Sequence, residues 1–148
     1  MAVGGCFCGK VRVEYPGQPV AVGVCHCMDC RKLTGGLSTY NFVIKTADLK
    51  ITGNAKEVAK TADSGNSVRN YFCPECGTSL YGRKINADGE PDEVTVVRAG
   101  IFDDAEILNE QKPQAELFTD RRLKWVDPIE GAAQFGGMLP LSTFHDSA

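Results

Sequence analysis

The residues with the most chemistry to offer are seven cysteines in a chain of 148 residues. They fall into three clusters: Cys6-Phe7-Cys8, then Cys25-His26-Cys27-Met28-Asp29-Cys30, then Cys73-Pro74-Glu75-Cys76. Closely spaced cysteines in a reducing compartment read as metal ligands or catalysts rather than disulfide halves, and an odd count leaves one thiol over in any all-disulfide scheme. Zinc in a structural site takes four ligands, whereas catalytic zinc keeps three protein ligands and one open position. With each cluster kept whole, joining the triple cluster to either pair gives five thiolates, one too many for a tetrahedron. Joining the two pairs gives four and leaves three. The division that fits two Zn²⁺ per chain therefore places Cys6, Cys8, Cys73 and Cys76 on a closed site and Cys25, Cys27 and Cys30 on an open one.

Local chemistry agrees with that division. Cys73-Pro74-Glu75-Cys76-Gly77 has the form of a zinc knuckle, two thiolates flanking a tight turn whose following glycine permits positive φ. The i, i+2 spacing of Cys6 and Cys8 predicts an extended segment with both sulfurs on one face. Three thiolates on Zn²⁺ leave a net charge of −1, and strong thiolate donation blunts the Lewis acidity that a zinc-hydroxide hydrolase needs. Such a site suits a soft fourth ligand, such as a substrate thiol that loses its proton on binding. The competing reading is a second structural zinc closed by His26, His145 or a carboxylate. The ring of His26, set between two ligands, is expected to point away from the ion, and His145 reads as a tail residue. Arg31 and Lys32 are candidates to meet a substrate carboxylate or to offset the thiolates, with a solvated surface pair as the alternative.

The elements that must position these residues are mostly extended. Lys10–Tyr15, Glu93–Val97 and parts of Ser67–Phe72 alternate polar with apolar residues, and Val20–Val24, Tyr40–Ile44 and Thr78–Tyr81 are further strand candidates. Glycine-bearing turns punctuate them. No stretch holds a 3.6-residue period for more than about two turns, and no βαβ alternation is present. The expected architecture is antiparallel sheets pinned by zinc, with short helices at most, in a single domain spanning 1–148. Hydrophobic residues at 43% and charged residues at 24% exclude a disordered tail or a fibre. The formal net charge of −3, with no basic stripe, argues against a nucleic-acid partner. No apolar run approaches the roughly 18 residues of a membrane span and no secretory signal is visible, so the chain is expected to be soluble and cytoplasmic. Asp103-Asp104 reads as a β-turn, Trp125 as a core, lid or pocket residue, and Gln134–Pro140 as a flap over a pocket or a tail.

Taken together, Gly5-Cys6-x-Cys8-Gly9, Cys25-His26-Cys27-x-x-Cys30-Arg31-Lys32-x-Thr34-Gly35 and Tyr71-Phe72-Cys73-x-x-Cys76-Gly77-Thr78 resemble the glutathione-dependent formaldehyde-activating enzyme (GFA) family, which also includes centromere protein V. Arg98-Ala99-Gly100-Ile101-Phe102-Asp103-Asp104 and the segment from Glu116-Leu117-Phe118 to Trp125 are similar to its C-terminal half. The likeness runs over about residues 4–140 and leaves 141–148 as a tail. It implies a mainly β fold, a zinc-bound β-tent of antiparallel sheets. It implies the same ligand sets, Cys6, Cys8, Cys73 and Cys76 structural and Cys25, Cys27 and Cys30 at the active zinc. It also implies carbon–sulfur lyase chemistry, the reversible formation of S-hydroxymethylglutathione from formaldehyde and glutathione, with glutathione or another small-molecule thiol adduct as co-substrate. One departure stands out: many relatives carry a histidine near the position of Glu116. The alternatives are a non-enzymatic zinc-stabilised binding module and an enzyme of the same fold acting on another small electrophile.

Overall fold

A computed structural model describes residues 1–61, 65 and 67–139. The smaller of its two sheets holds β1 (Ala2–Gly5), β2 (Arg12–Tyr15) and β5 (Lys50–Thr52), in the order β1-β2-β5. The larger has eight strands. These are β3 (Ala21–Cys25), β4 (Thr39–Lys45), β6 (Lys56–Thr61), β7 (Ser67–Phe72), β8 (Ser79–Lys84), β9 (Val94–Arg98), β10 (Ala115–Leu117) and β11 (Ala133–Gln134). They lie in the order β11-β10-β3-β4-β9-β8-β7-β6. Two helices are described, α1 (Met28–Thr34) and α2 (Ala105–Glu110), and both are short. The protein is mainly β, as the turn-punctuated alternation predicts.

Alternation decides which face of each strand is buried. In β2, Val13 and Tyr15 are buried while Arg12 and Glu14 are half-exposed. The register aligns Val22 with Phe42 and Phe42 with Val97 across β3, β4 and β9, so one face of the large sheet is a continuous apolar row. That face meets the small sheet. Tyr15, Phe42 and Phe102 interlock between them, with Phe42 and Phe102 stacked at 5.6 Å and Tyr15 edge-on to Phe102 at 5.3 Å. A ring as fully buried as Phe42 contributes about 3–5 kcal/mol relative to alanine. The backbones also touch, since a Cβ at Gly4 would lie 2.2 Å from the Ile101 carbonyl oxygen.

One edge departs from the all-antiparallel expectation: β10 runs parallel to β3, and β11 runs parallel to β10. Parallel neighbours need a crossover connection. Here the chain carries α2 between β9 and β10 and a long loop between β10 and β11, so each strand enters from the same end as its neighbour. No helix among the described residues is long and apolar enough to cross a membrane.

Candidate metal centres and the pocket beside them

Cys6, Cys8, Cys73 and Cys76 converge with all their sulfurs within 4.8 Å of one another. The Cys6–Cys8 and Cys8–Cys73 sulfur separations are 3.5 and 3.7 Å. A tetrahedral thiolate site with metal–sulfur bonds of about 2.3 Å spaces its sulfurs by roughly 3.8 Å, so these four fit one ion. Each pair sits on a tight turn. The Gly77 amide donates to the Cys73 carbonyl at 2.8 Å with Gly77 at φ +78. The Gly9 amide donates to the Cys6 carbonyl at 3.0 Å with Gly9 at φ +82. Cys6-x-Cys8 is thus a turn after the end of β1, not the extended segment its spacing suggested. An extended chain would carry both sulfurs past the cluster, whereas the reversal aims them back at Cys73. The Val11 amide donates to the Cys6 sulfur at 3.2 Å. Contact with Thr78 pulls the Cys76 thiol down to about 5, favouring the thiolate a metal requires.

Cys25, Cys27 and Cys30 form the second group, again with sulfurs within 4.8 Å. Cys25 is the last residue of β3, Cys27 caps α1, and Cys30 lies one turn along that helix. The Cys27 sulfur accepts from the Cys30 amide at 3.3 Å, which fixes the two side chains on one helix face. Sharing protons with Cys25 and Cys27, and drawn further by Arg98, the Cys30 thiol is held down to about 3, while hydrogen bonding to Cys27 and Cys30 pushes Cys25 up. No further His, Asp or Glu ligand atom joins this group among the described residues.

The group opens on a cavity of about 240 Å³ set on the second face of the large sheet. Register builds that face in rows. Leu117 pairs with Cys25; Ala115, Gly23, Asn41 and Arg98 form the next row; Ala21, Val43, Val96, Gly82 and Asn70 form the third. Arg98, 8% exposed, donates to Ser79 Oγ at 3.3 Å, Asn41 Oδ1 at 3.2 Å and Asn70 Oδ1 at 3.3 Å. All three acceptors are neutral. Burial lowers the Arg98 pKa, and the three cysteines beside it work the other way. A guanidinium here balances the −1 charge that three thiolates would leave on a divalent ion.

The profile of the glutathione-dependent formaldehyde-activating enzyme family matches residues 1–121, a span containing both cysteine groups and Arg98. The chain belongs to this family. Among its curated relatives, a protein of Emericella nidulans carrying that enzyme description is 32% identical over 78 residues, 53% of this chain and 39% of the relative. One from Podospora anserina with the same description is 36% identical over 84 residues, 51% of this chain and 39% of the relative. The chain therefore spans well under half the length of these relatives. A crystal structure of a Rhodobacter sphaeroides protein superposes with a TM-score of 0.50 at 19% identity, covering 90% of this chain and 98% of that one, and it shares the fold.

In this GFA-family chain, His26 turns away from its flanking cysteines. Its Nε2 meets Glu116 Oε1 at 2.7 Å in a fully buried pair. Glu116 also accepts from Gln134 Nε2 at 2.7 Å and the Ile129 amide at 2.8 Å, with Arg122 Nη2 3.6 Å away. Burial opposes its charge, but these bonds hold the carboxyl below its ordinary pKa. The acid thus ties β10, β11 and the loop between them to the cysteine segment.

Arg31 and Lys32 lie on α1 and do not line the cavity beside the cysteines. Lys32 is exposed at a smaller adjoining cleft with Asp29 and Lys60, and the Arg31 Nε is buried without a hydrogen-bond partner. Asp104 caps α2 by accepting from the Glu106 amide, and Asp103 pairs with Arg12 at 2.7 Å, so Asp103-Asp104 serves a helix start and an ion pair rather than a β-turn. Trp125 is 71% exposed and packs in neither core nor cavity. The described part of Gln134–Pro140 is pinned to the sheet edge, the Phe135 amide donating to the Glu116 carbonyl at 2.9 Å, and Met138 and Leu139 wall the cavity. Pro140 and His145 lie outside the described residues.

The residues that sequence reasoning passed over are Arg98, Asn41 and Asn70 around the cavity and the bonding of Glu116. One signal was available for Arg98: it closes the apolar run Val94–Arg98 on the same strand face as Val96, a position from which a charge reaches inward.

Proposed function

We propose that the protein is a zinc-dependent carbon–sulfur lyase that joins a thiol sulfur to a one-carbon aldehyde, or splits the adduct, as in S-hydroxymethylglutathione chemistry. The observation that supports it is the group of three cysteines opening onto a cavity, with the His26 imidazole turned away to Glu116. Zinc at such a group supplies an open coordination position that lowers the pKa of a bound thiol and holds it as thiolate at neutral pH.

The chain's own residues do the rest. Cys25, Cys27 and Cys30 would hold the ion, Arg98 balances their charge, and the apolar sheet face and walls receive the body of the adduct. In the forward direction the thiol gives up its proton, its sulfur forms a bond to the carbonyl carbon, and the carbonyl oxygen takes up a proton; the reverse breaks the carbon–sulfur bond. Cys6, Cys8, Cys73 and Cys76 hold a second, structural zinc, and the substrate is glutathione or another small thiol adduct.

Cys27→Ala is the test. It should release one of two zinc equivalents and abolish turnover of hydroxymethyl thiol adducts while the circular dichroism spectrum stays that of a folded β protein. Unchanged turnover across a panel of adducts refutes the reading. Two zincs with no exchangeable ligand would favour a binding module instead.

A further inference from the structure

Building on the sulfur chemistry proposed above, we infer that the substrate thiol carries a compact apolar body, a short alkyl or aryl group, rather than the charged tripeptide of glutathione. The cavity beside Cys25, Cys27 and Cys30 is floored by Ala21, Val43 and Val96 and walled by Leu117, Phe118 and Met138. Its volume of about 240 Å³ lies below the roughly 300–1,000 Å³ of sites that enclose a drug-sized ligand. A thiol seated there with its sulfur at the cysteines presents its carbon skeleton to aliphatic and aromatic side chains.

Of the charges around the cavity, Arg98, Arg83 and Asp29 are already engaged. Arg98 donates to Ser79, Asn41 and Asn70 and faces the thiolates, which its charge matches. The Arg83 guanidinium lies over the Tyr81 and Tyr71 rings, 4.9 and 5.7 Å from their centroids, and its Nε donates to Thr95, away from the row of Gly82 and Val96. Asp29 pairs with Lys60. Lys84, half-exposed, stands at the far end of β8. Glutathione brings two carboxylates, an ammonium and two peptide groups, and burying these against valine and leucine without partners is unfavourable. An apolar body gains free energy from the same burial.

Two glycines of the floor leave little room for a side chain. A Cβ at Gly82 would lie 2.6 Å from Asn70 Oδ1, the acceptor of an Arg98 bond, and one at Gly23 would lie 3.3 Å from the Ala115 carbonyl oxygen. Phe118 adopts φ +53, a left-handed conformation uncommon for an aromatic residue, as the chain turns out of β10 at the cavity wall. Backbone strain of this kind persists where the surrounding structure imposes it.

The test titrates the cobalt-substituted full chain with benzyl mercaptan and, separately, with glutathione, following the sulfur-to-cobalt absorption bands. The expected result is at least tenfold tighter binding of benzyl mercaptan. Val96→Asp, or Met138→Asp should the strand variant not fold, should weaken benzyl mercaptan at least tenfold and leave the resting cobalt spectrum unchanged. Equal or tighter binding of glutathione, or no loss in either folded variant, overturns the apolar-body inference while leaving the sulfur chemistry standing. Failure of both thiols to perturb the bands overturns the sulfur reading itself, and this inference with it.

Discussion

Replacing Glu116 tests whether one buried acid couples the parallel strand edge to the cysteine segment. Glu116 is 1% exposed and accepts from His26, Gln134 and the Ile129 amide at 2.7, 2.7 and 2.8 Å. A carboxylate only accepts, so the His26 Nε2 carries its hydrogen. Charge-assisted bonds contribute roughly 1.5–3 kcal/mol each, but three that share one carboxylate are not additive. Stripping the acceptor from a buried charged network costs about 3–5 kcal/mol, a large part of a domain stability of roughly 5–15 kcal/mol, and that is the expected loss for Glu116→Ala. Glu116→Gln should cost less, about 1–2 kcal/mol. Its amide oxygen can keep the Ile129 and Gln134 donors, while its NH₂ group must face His26 and drive the imidazole hydrogen to Nδ1. Urea unfolding of the metal-loaded protein reads the energies, and ¹⁵N NMR of the imidazole reads the tautomer. The pH dependence follows from the same bonds. Because the Glu116 pKa is lowered in the fold, the carboxylate's contribution is complete above its ordinary value of 4.5 and is lost as pH falls through the lower folded value. The gap between wild type and Glu116→Gln should therefore close on acidification. A Glu116→Ala cost under about 1 kcal/mol, or a glutamine variant that keeps the Nε2 hydrogen at full stability, refutes the reasoning.

Two further outcomes follow from the cavity floor. Arg98→Met removes the charge facing Cys25, Cys27 and Cys30, and zinc affinity at that group, measured by chelator competition, should fall roughly 10- to 100-fold while the four-cysteine site keeps its ion. Gly82→Ala forces a methyl to within 2.6 Å of Asn70 Oδ1, so Asn70 must shift and loosen its Arg98 bond, with a loss of about 1–3 kcal/mol in denaturant unfolding.

The strands that could be read in advance are those whose burial alternates, β2 above all. β6 could not be read, because all its side chains are exposed and only its antiparallel bonding to β7 makes it a strand. β10 and β11 are three and two residues long, too short for any period, and are held by backbone pairing. The grouping of the cysteines into four and three was legible because ligand arithmetic is local to the sequence. The clamp on Arg98 was not, since Asn41 and Asn70 stand 57 and 28 positions from it and meet only through strand register. Arg31 and Lys32 were singled out for closeness in sequence to Cys30, but helical geometry sends them away from the cavity that Cys30 faces.

The parallel edge has a consequence for how such a protein diversifies. The family profile ends at residue 121, whereas β11, Met138 and Leu139 lie past it. The outer end of the cavity wall thus lies past the stretch that carries the cysteine groups, tied to it through a strand of three residues and one buried acid. A duplicated copy could exchange its outer wall and acquire a new appetite without disturbing a single ligand. The outer rim of the pocket is then inherited on a different segment from the ligands, and engineering can address that rim alone.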